Sequence, residues 1–160
     1  MSTQDIILTR RISAPIDVVW DAWTNPETTK RWWGPRGFTC NSAFTDLTVG
    51  GRFTWNMHAP AEMGGFDMYT AGEYTRIEPL AVIDFTQWLG DADGNPIDPV
   101  ATGMPADFPA EVRSSVRFER VPEGTLLTAV EYDWTVGEQR SLSESGLEQC
   151  IDKLEELLAS

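Results

Sequence analysis

Hydrophobic residues near the start of the chain change from an alternating to a helical pattern. Residues 6–12 alternate and predict a strand, although Arg10 interrupts the apolar face. Pro15 follows in a position typical of a first helical turn. Residues 25–27, Asn-Pro-Glu, give a second, shorter helix the same kind of start, and that helix is predicted to end near residues 33–34. The pattern predicts one strand followed by two short helices.

From residue 38 onwards the hydrophobic period becomes two, which is typical of strands. The predicted strands are residues 38–47, 52–58, 67–77, 82–89, 112–119 and 125–134. Residues 137–160 return to a helical pattern with one apolar face. The order of elements predicts an α+β fold: a curved antiparallel sheet wrapped around a long C-terminal helix, with two short helices after the first strand. We expect residues 1–160 to form a single domain of this kind.

A sheet that curves around a helix can enclose a pocket, and several aromatic residues are placed to reach it. Neighbours on a helix point about 100° apart, so Trp32 and Trp33 cannot take the same core position. We expect Trp33 to face the cavity. On the strand at residues 52–58, Phe53, Trp55 and Met57 share one face, with Phe53 in the core and the other two nearer the cavity.

A Pro/Gly-rich segment, residues 98–109, interrupts the series of predicted strands. It cannot extend a helix or a central strand, but it carries Met104 and Phe108 as apolar contacts. Two interpretations stay open at this point. The segment is a lid over the pocket, or it is an ordered surface connection whose apolar side chains cover the sheet edge.

Charge and composition exclude several classes of protein. The 12 Lys and Arg residues against 25 Asp and Glu residues leave a formal net charge of −13, which disfavours binding to nucleic acid or to anionic membranes. No apolar run reaches the roughly 20 residues that a membrane span needs, and the start of the sequence lacks the order of a secretory signal. Cys40 and Cys150 are expected to be free, buried thiols. These features predict a cytoplasmic protein without membrane insertion.

The candidate catalytic chemistry is sparse. His58 is the only histidine, and strand parity places it opposite the aromatic face of its strand, which favours a role at the rim or surface. Neither a metal-ligand spacing nor a phosphate loop is recognised, so we expect no metal and no cofactor. Glu131 is the preferred pocket carboxylate because it shares a face with Leu127 and Ala129, which have the character of core residues. Burial there would raise its pKa.

Short motifs in a fixed order along the chain resemble those of the activator of heat-shock protein 90 ATPase homologue family. They are ISAP at residues 12–15, VWDAWT at 19–24, NPE at 25–27, RWWGP at 31–35, DL at 46–47 with GGRF at 50–53, and GEY at 72–74. The wider group is the START-like (SRPBCC, helix-grip) superfamily. The resemblance implies a single START-like domain with a pocket between the sheet and the long helix. It does not imply one activity, because that fold hosts carriers, binding proteins and enzymes.

Three functional hypotheses follow. The leading one is a non-catalytic protein that binds a small, largely apolar molecule in the pocket. The candidate ligand-binding residues are Trp33, Trp55, Met57, Met68 and Phe108 for apolar contact, and Tyr69 or Glu131 for polar orientation. The second is a chaperone-linked interaction module, which the family name associates with the stress response.

The third hypothesis is an enzyme of the cyclase or hydrolase type that uses Glu131, His58 or Tyr69 in the same cavity, although no catalytic residue is assigned. The sequence is compatible with a monomer or a homodimer, since Met and Trp on an exposed strand face would support self-association.

Overall fold

The computed structural model of the protein describes residues 2–159. Within that range seven strands and three α-helices follow one another in the order β1, α1, α2, β2 to β7, α3. Their bounds are β1 Thr3–Ile12, α1 Ile16–Thr24, α2 Pro26–Thr29, β2 Ala43–Thr45, β3 Arg52–His58, β4 Asp67–Glu78, β5 Val82–Gly90, β6 Val112–Val121, β7 Gly124–Thr135 and α3 Glu138–Ala159. Two single-turn 3₁₀ helices, Ala61–Met63 and Val100–Thr102, lie in connections.

The seven strands form one antiparallel sheet in the order β1-β7-β6-β5-β4-β3-β2. Strands β2 to β7 each pair with their neighbours in sequence, whereas β1 pairs with β7 near the other end of the chain. Helix α3 contacts β1 and β7 and buries one face, made of Leu147, Cys150, Ile151 and Leu154. The α+β prediction of a curved sheet with a long C-terminal helix is confirmed.

Asn25 separates the two short helices and caps both. Its backbone N–H donates to the carbonyl of Asp21 (2.8 Å) at the end of α1, and its side-chain oxygen accepts from the N–H of Glu27 (3.1 Å) at the start of α2. Helix α2 is shorter than predicted: it ends at Thr29 and not near residues 33–34. The chain continues in turns, and the N–H of Trp33 donates to the carbonyl of Thr29 (3.0 Å).

Arg10, which interrupts the apolar face of β1, meets α3. One guanidinium nitrogen lies 2.7 Å from a carboxylate oxygen of Asp152 and 2.8 Å from one of Glu155. The arginine side chain is about three-quarters buried, at 25% exposure. A partly exposed ion pair of this kind contributes about 1 kcal/mol or less, so its main effect is to fix where the helix crosses the strand.

Strand β2 is much shorter than the predicted strand at residues 38–47. An isolated bridge joins Thr39 to His58, and the regular pairs begin only at Ala43, opposite Trp55. The register therefore shifts by one residue between the two. The N–H of Asn41, which lies inside this irregular stretch, donates to the side-chain oxygen of Asn56 (3.0 Å). The side chain of Asn56 thus takes the place of a backbone acceptor for Asn41, and the backbone hydrogen bonding between the two strands is interrupted at this point.

Candidate functional site

A small cavity lies between the sheet, α1, the turn after α2 and α3. Its volume is about 20 Å³, which is enough for roughly one water molecule. It is mostly apolar. The residues that line it are Trp23, Trp33, Phe53, Trp55, Thr70, Phe85, Gln87, Ser114, Ser115, Val116, Ala129, Val130, Glu131 and Leu147. The protein interior is thus nearly filled at the place where the fold is expected to hold a ligand.

Three tryptophans form one side of the cavity. The rings of Trp33 and Trp55 meet edge to face with centroids 4.9 Å apart, and Trp23 lies 6.3 and 6.4 Å from them. Trp32 packs behind this group, fully buried, and its indole N–H donates to the carbonyl of Ala22 (2.9 Å). The two adjacent tryptophans therefore differ in their surroundings, because Trp32 is anchored to α1 and Trp33 faces the cavity.

Two of the cavity's indole groups lack a hydrogen-bond partner among residues 2–159. These are the N–H groups of Trp23, which is 4% exposed, and Trp33, which is 9% exposed. An unpaired buried donor costs about 1–3 kcal/mol of folding free energy. Polar atoms left in that condition call for an explanation such as a water molecule or a ligand.

Glu131 supplies the cavity with a carboxyl group. It lies on β7 opposite Ser114 of β6 and Ile6 of β1, and its carboxylate accepts from the indole N–H of Trp134 (3.0 Å). The residue is half-buried and lines the cavity. Burial raises the pKa of Glu131, and hydrogen bonds from Trp134 and Gln87 oppose that rise.

Gln87 and Ser114 complete a polar corner around Glu131. The side-chain amide of Gln87 donates to the hydroxyl of Ser114 (2.8 Å), and both residues line the cavity. Within residues 2–159 Glu131 forms no salt bridge. The corner therefore offers hydrogen-bonding groups but no positive charge.

The Pro/Gly-rich segment at residues 98–109 reaches this corner indirectly. Phe108 packs edge to face on Trp134, with centroids 5.9 Å apart, and Trp134 in turn donates to Glu131. Phe108 does not itself line the cavity. The segment is thus linked to the carboxyl group through the ring of Trp134.

The turn that carries Trp33 is fastened to α3. The ammonium group of Lys153 donates to the carbonyls of Gly34 (2.9 Å) and Phe38 (3.1 Å), and burial lowers its pKa. The side chain of Gln149 accepts from the N–H of Arg36 (3.1 Å). Helix α3 therefore contributes to the site twice, through its apolar face and through the attachment of this turn.

The structure divides the seven predicted ligand-binding residues into two groups. Trp33, Trp55 and Glu131 line the cavity. Four others lie outside its lining: Met57, Met68, Tyr69 and Phe108. Met57 and Met68 face each other across β3 and β4. A contact between any of the seven and a ligand stays a prediction.

Several lining residues were not among the candidates from the sequence. Trp23 belongs to the apolar stripe of α1, and a stripe does not show which member borders a void. Gln87 had a readable signal, because Ile83, Phe85 and Gln87 alternate on β5 and place a polar residue on an apolar face. Leu147 had none, since its position depends on how α3 crosses the sheet.

His58 lies outside the cavity, in a small polar group at the end of β3. Its Nδ1 is 2.8 Å from a carboxylate oxygen of Asp67, which also accepts from the side-chain amide of Asn56 (3.1 Å). The hydrogen bonds from Asn56 and His58 lower the pKa of Asp67. The histidine side chain is 38% exposed, so this group lies at the surface.

Between residues 2 and 159 no three His, Cys, Asp or Glu residues are grouped as metal ligands would be. In that part of the chain no helix combines the length and the apolar character that crossing a membrane requires.

Comparison with known proteins gives a match over most of the chain. Residues 13–159 match the family model described as "Activator of Hsp90 ATPase homolog 1-like protein". No curated protein matches the chain.

Solved structures of similar proteins cover almost the whole chain. A protein from Staphylococcus epidermidis is 26% identical with a TM-score of 0.75, covering 99% of this chain and 92% of that one. A protein from Chromobacterium violaceum is 24% identical with a TM-score of 0.78 and coverage of 98% and 97%. An AHSA1 protein from Silicibacter pomeroyi is 20% identical with a TM-score of 0.73 and coverage of 98% of each chain. The last two comparisons show the fold.

Proposed function

Because the chain belongs to the family of Activator of Hsp90 ATPase homolog 1-like proteins, we propose that it binds a small, largely apolar molecule between the sheet and α3 without transforming it. One observation carries the proposal: a mostly apolar cavity is lined by the carboxyl-bearing Glu131 and by two tryptophans, Trp23 and Trp33, whose indole N–H groups have no hydrogen-bond partner among residues 2–159. Polar atoms that the fold does not use for its own stability suit the orientation of a ligand.

The size of the cavity sets a condition on this function. At about 20 Å³ it is far smaller than a typical ligand pocket of roughly 300–1,000 Å³. Binding therefore requires the wall to move outwards. The cost of that opening lowers the apparent affinity in proportion to the fraction of molecules that are open. Two segments outside the α-helices and strands lie next to the lining: residues 34–38 directly follow Trp33, and residues 98–109 reach Trp134 through Phe108.

A binding screen tests the proposal. We expect saturable, one-to-one binding of small apolar compounds in isothermal titration calorimetry, with a matching rise in melting temperature. Ala129→Val adds two methyl groups at the cavity lining and is expected to weaken binding strongly. Thr128→Val is the matched control on the opposite face of β7. The proposal fails when no compound of a broad apolar panel binds, or when both variants lose binding equally.

A second candidate function is protein binding, favoured by the exposed apolar side chains of Met63 and Phe66 and the half-buried ring of Phe38. Met63 is 54% and Phe66 42% exposed, and the rings of Phe38 and Phe66 meet edge to face at 6.3 Å. Exposed aromatic groups of this kind are typical of protein contacts. The family name makes an Hsp90-type chaperone the partner to test.

Co-precipitation with the host chaperone and an assay of its ATPase activity test this candidate. Phe66→Ser is expected to abolish both effects. Phe44→Ser, at a residue that is 58% exposed on β2, is expected to leave them unchanged. Absence of complex with the unaltered protein at micromolar concentrations would contradict it.

A further inference from the structure

The polar groups of the cavity specify a ligand class, an inference that rests on the proposed function. We infer that the site takes a small neutral molecule with a hydroxyl group on an apolar body. The hydroxyl oxygen accepts from the indole N–H groups of Trp23 and Trp33, and the hydroxyl hydrogen faces the carboxyl group of Glu131. The apolar body lies against the aromatic rings of the lining.

The two indoles supply the donors. Both residues are at least nine-tenths buried, both line the cavity, and neither N–H has a partner among residues 2–159. An indole N–H only donates. A ligand that relieves these groups must therefore present an acceptor atom, which a plain hydrocarbon lacks.

Glu131 supplies the acceptor. Its carboxylate already accepts hydrogen bonds from Trp134 and Gln87, and the two oxygens of a carboxylate can accept more. No cation within residues 2–159 pairs with it. A ligand group beside this carboxyl is favoured when it can donate a hydrogen bond.

Charged ligands fit less well. A ligand carboxylate would lie beside Glu131 in a cavity without a positive charge, at a large desolvation cost. A ligand ammonium group would pair with Glu131, but it has no acceptor atom and would leave both indole donors unsatisfied. A hydroxyl group donates and accepts, so it satisfies both sides of the site.

The rest of the lining suits an apolar body. Phe53, Trp55 and Phe85 form a continuous aromatic wall, with Phe53 5.1 Å from Trp55 and 5.5 Å from Phe85 between ring centroids. Leu147 of α3 and Val116 of β6 also belong to the lining. Such a wall favours a ring or a short hydrocarbon chain over a second polar group.

A matched series of single-ring compounds tests the inference: toluene, benzyl alcohol, benzoate and benzylamine, titrated at pH 7. We expect benzyl alcohol to bind most tightly, with toluene roughly two- to tenfold weaker because it makes no hydrogen bond. Benzylamine and benzoate are expected to bind more weakly than benzyl alcohol. In ¹H–¹⁵N spectra, benzyl alcohol should shift the indole N–H signals of Trp23 and Trp33 downfield and leave that of Trp32, already bonded to Ala22, in place.

Variants link the preference to the named groups. Trp33→Phe is expected to remove most of the advantage of benzyl alcohol over toluene. Trp20→Phe, whose ring packs on Phe118 outside the cavity lining, should keep it. Glu131→Gln removes the negative charge and should reduce the discrimination against benzoate.

The outcomes separate the two proposals. When toluene binds as tightly as benzyl alcohol, or the indole signals do not respond to the hydroxyl group, the inferred ligand class is wrong while ligand binding stands. When no compound of this series or of the wider apolar panel binds, the proposed function itself is overturned. Preference for benzylamine would assign the site to an organic cation instead.

Discussion

Phenylalanine in place of Trp33 is expected to cost less stability than phenylalanine in place of its neighbour Trp32. Both indoles are buried, and the same substitution removes the same atoms, including the N–H. The difference lies in what each N–H does. That of Trp32 donates to the carbonyl of Ala22 at 2.9 Å, whereas that of Trp33 has no partner among residues 2–159.

The magnitude follows from these two environments. Trp32→Phe loses one hydrogen bond, worth about 0.5–1.5 kcal/mol net. The Ala22 carbonyl keeps a second donor, the hydroxyl of Thr29 at 3.0 Å, so no acceptor is orphaned. Trp33→Phe removes an unpaired buried donor that costs about 1–3 kcal/mol. The packing loss is similar in both variants and cancels to first order. The free energy of unfolding of Trp33→Phe should therefore exceed that of Trp32→Phe by at least about 1.5 kcal/mol.

Urea denaturation followed by tryptophan fluorescence and circular dichroism measures this difference. With m between about 1 and 3 kcal/mol per M, the midpoints should differ by at least roughly 0.5 M when m is large and by at least roughly 1.5 M when m is small. An unchanged m in both variants is the control that the unfolded states remain comparable. Equal destabilisation would refute the reasoning, because it would mean that the Trp33 N–H has a partner in solution, such as a trapped water molecule.

The other predictions concern the cavity wall and the carboxyl group. Leu147→Ala should lower the free energy of unfolding in urea by about 2–5 kcal/mol, and added benzyl alcohol should restore part of it. Leu154→Ala, at a buried residue outside the lining, should lose a similar amount that benzyl alcohol does not restore; equal restoration in both variants would contradict the site. The folded-state pKa of Glu131 is raised above its ordinary value of 4.5, so its stabilising contribution is complete below pH 4.5 and is lost as pH rises through the folded pKa. Stability measured against pH should therefore fall relative to Glu131→Gln above pH 4.5, by at most about 1.4 kcal/mol per pH unit, and parallel curves would argue against a buried carboxyl. Gly72→Ala should cost about 1–3 kcal/mol in thermal unfolding, because its Cβ would clash with the backbone carbonyl oxygen of Thr86 and lie 2.6 Å from ring atoms of Phe53; an unchanged melting temperature would contradict this close approach of β5 to Gly72.

Most of the fold could be predicted from hydrophobic periodicity and the family resemblance. The strands and α3 were predicted within a few residues, because each has one apolar face over a long stretch, and the family assignment is confirmed. The exceptions have local causes. Strand β2 was predicted too long because a side-chain acceptor, Asn56, replaces the ladder near Asn41. Helix α2 was predicted too long because consecutive turns after Thr29 keep a helix-like pattern without forming a helix.

The candidate site was less accessible to sequence reasoning. Strand parity placed Trp55 and Glu131 on the inward face, and both line the cavity. Strand parity cannot show how far along a strand a cavity extends. Met57 shares the inward face of β3 with Trp55 but lies beyond the end of the cavity. Leu147 and Trp23 come from helices whose crossing angles depend on the whole packed structure. The unpaired state of the two indoles depends on side-chain geometry, which no pattern of residue types encodes.

The pairing of β1 with β7 also determines the order in which the protein can be completed during synthesis. Ile6 lies opposite Glu131, roughly 125 residues later in the chain. At about 5–20 residues per second, a ribosome adds the second partner roughly 6–25 seconds after the first. During that interval β1 has a free edge on both sides, with Ile6 and Ile12 not yet covered. A nascent chain stalled before β7 would thus expose an apolar strand suited to chaperone binding or to aggregation.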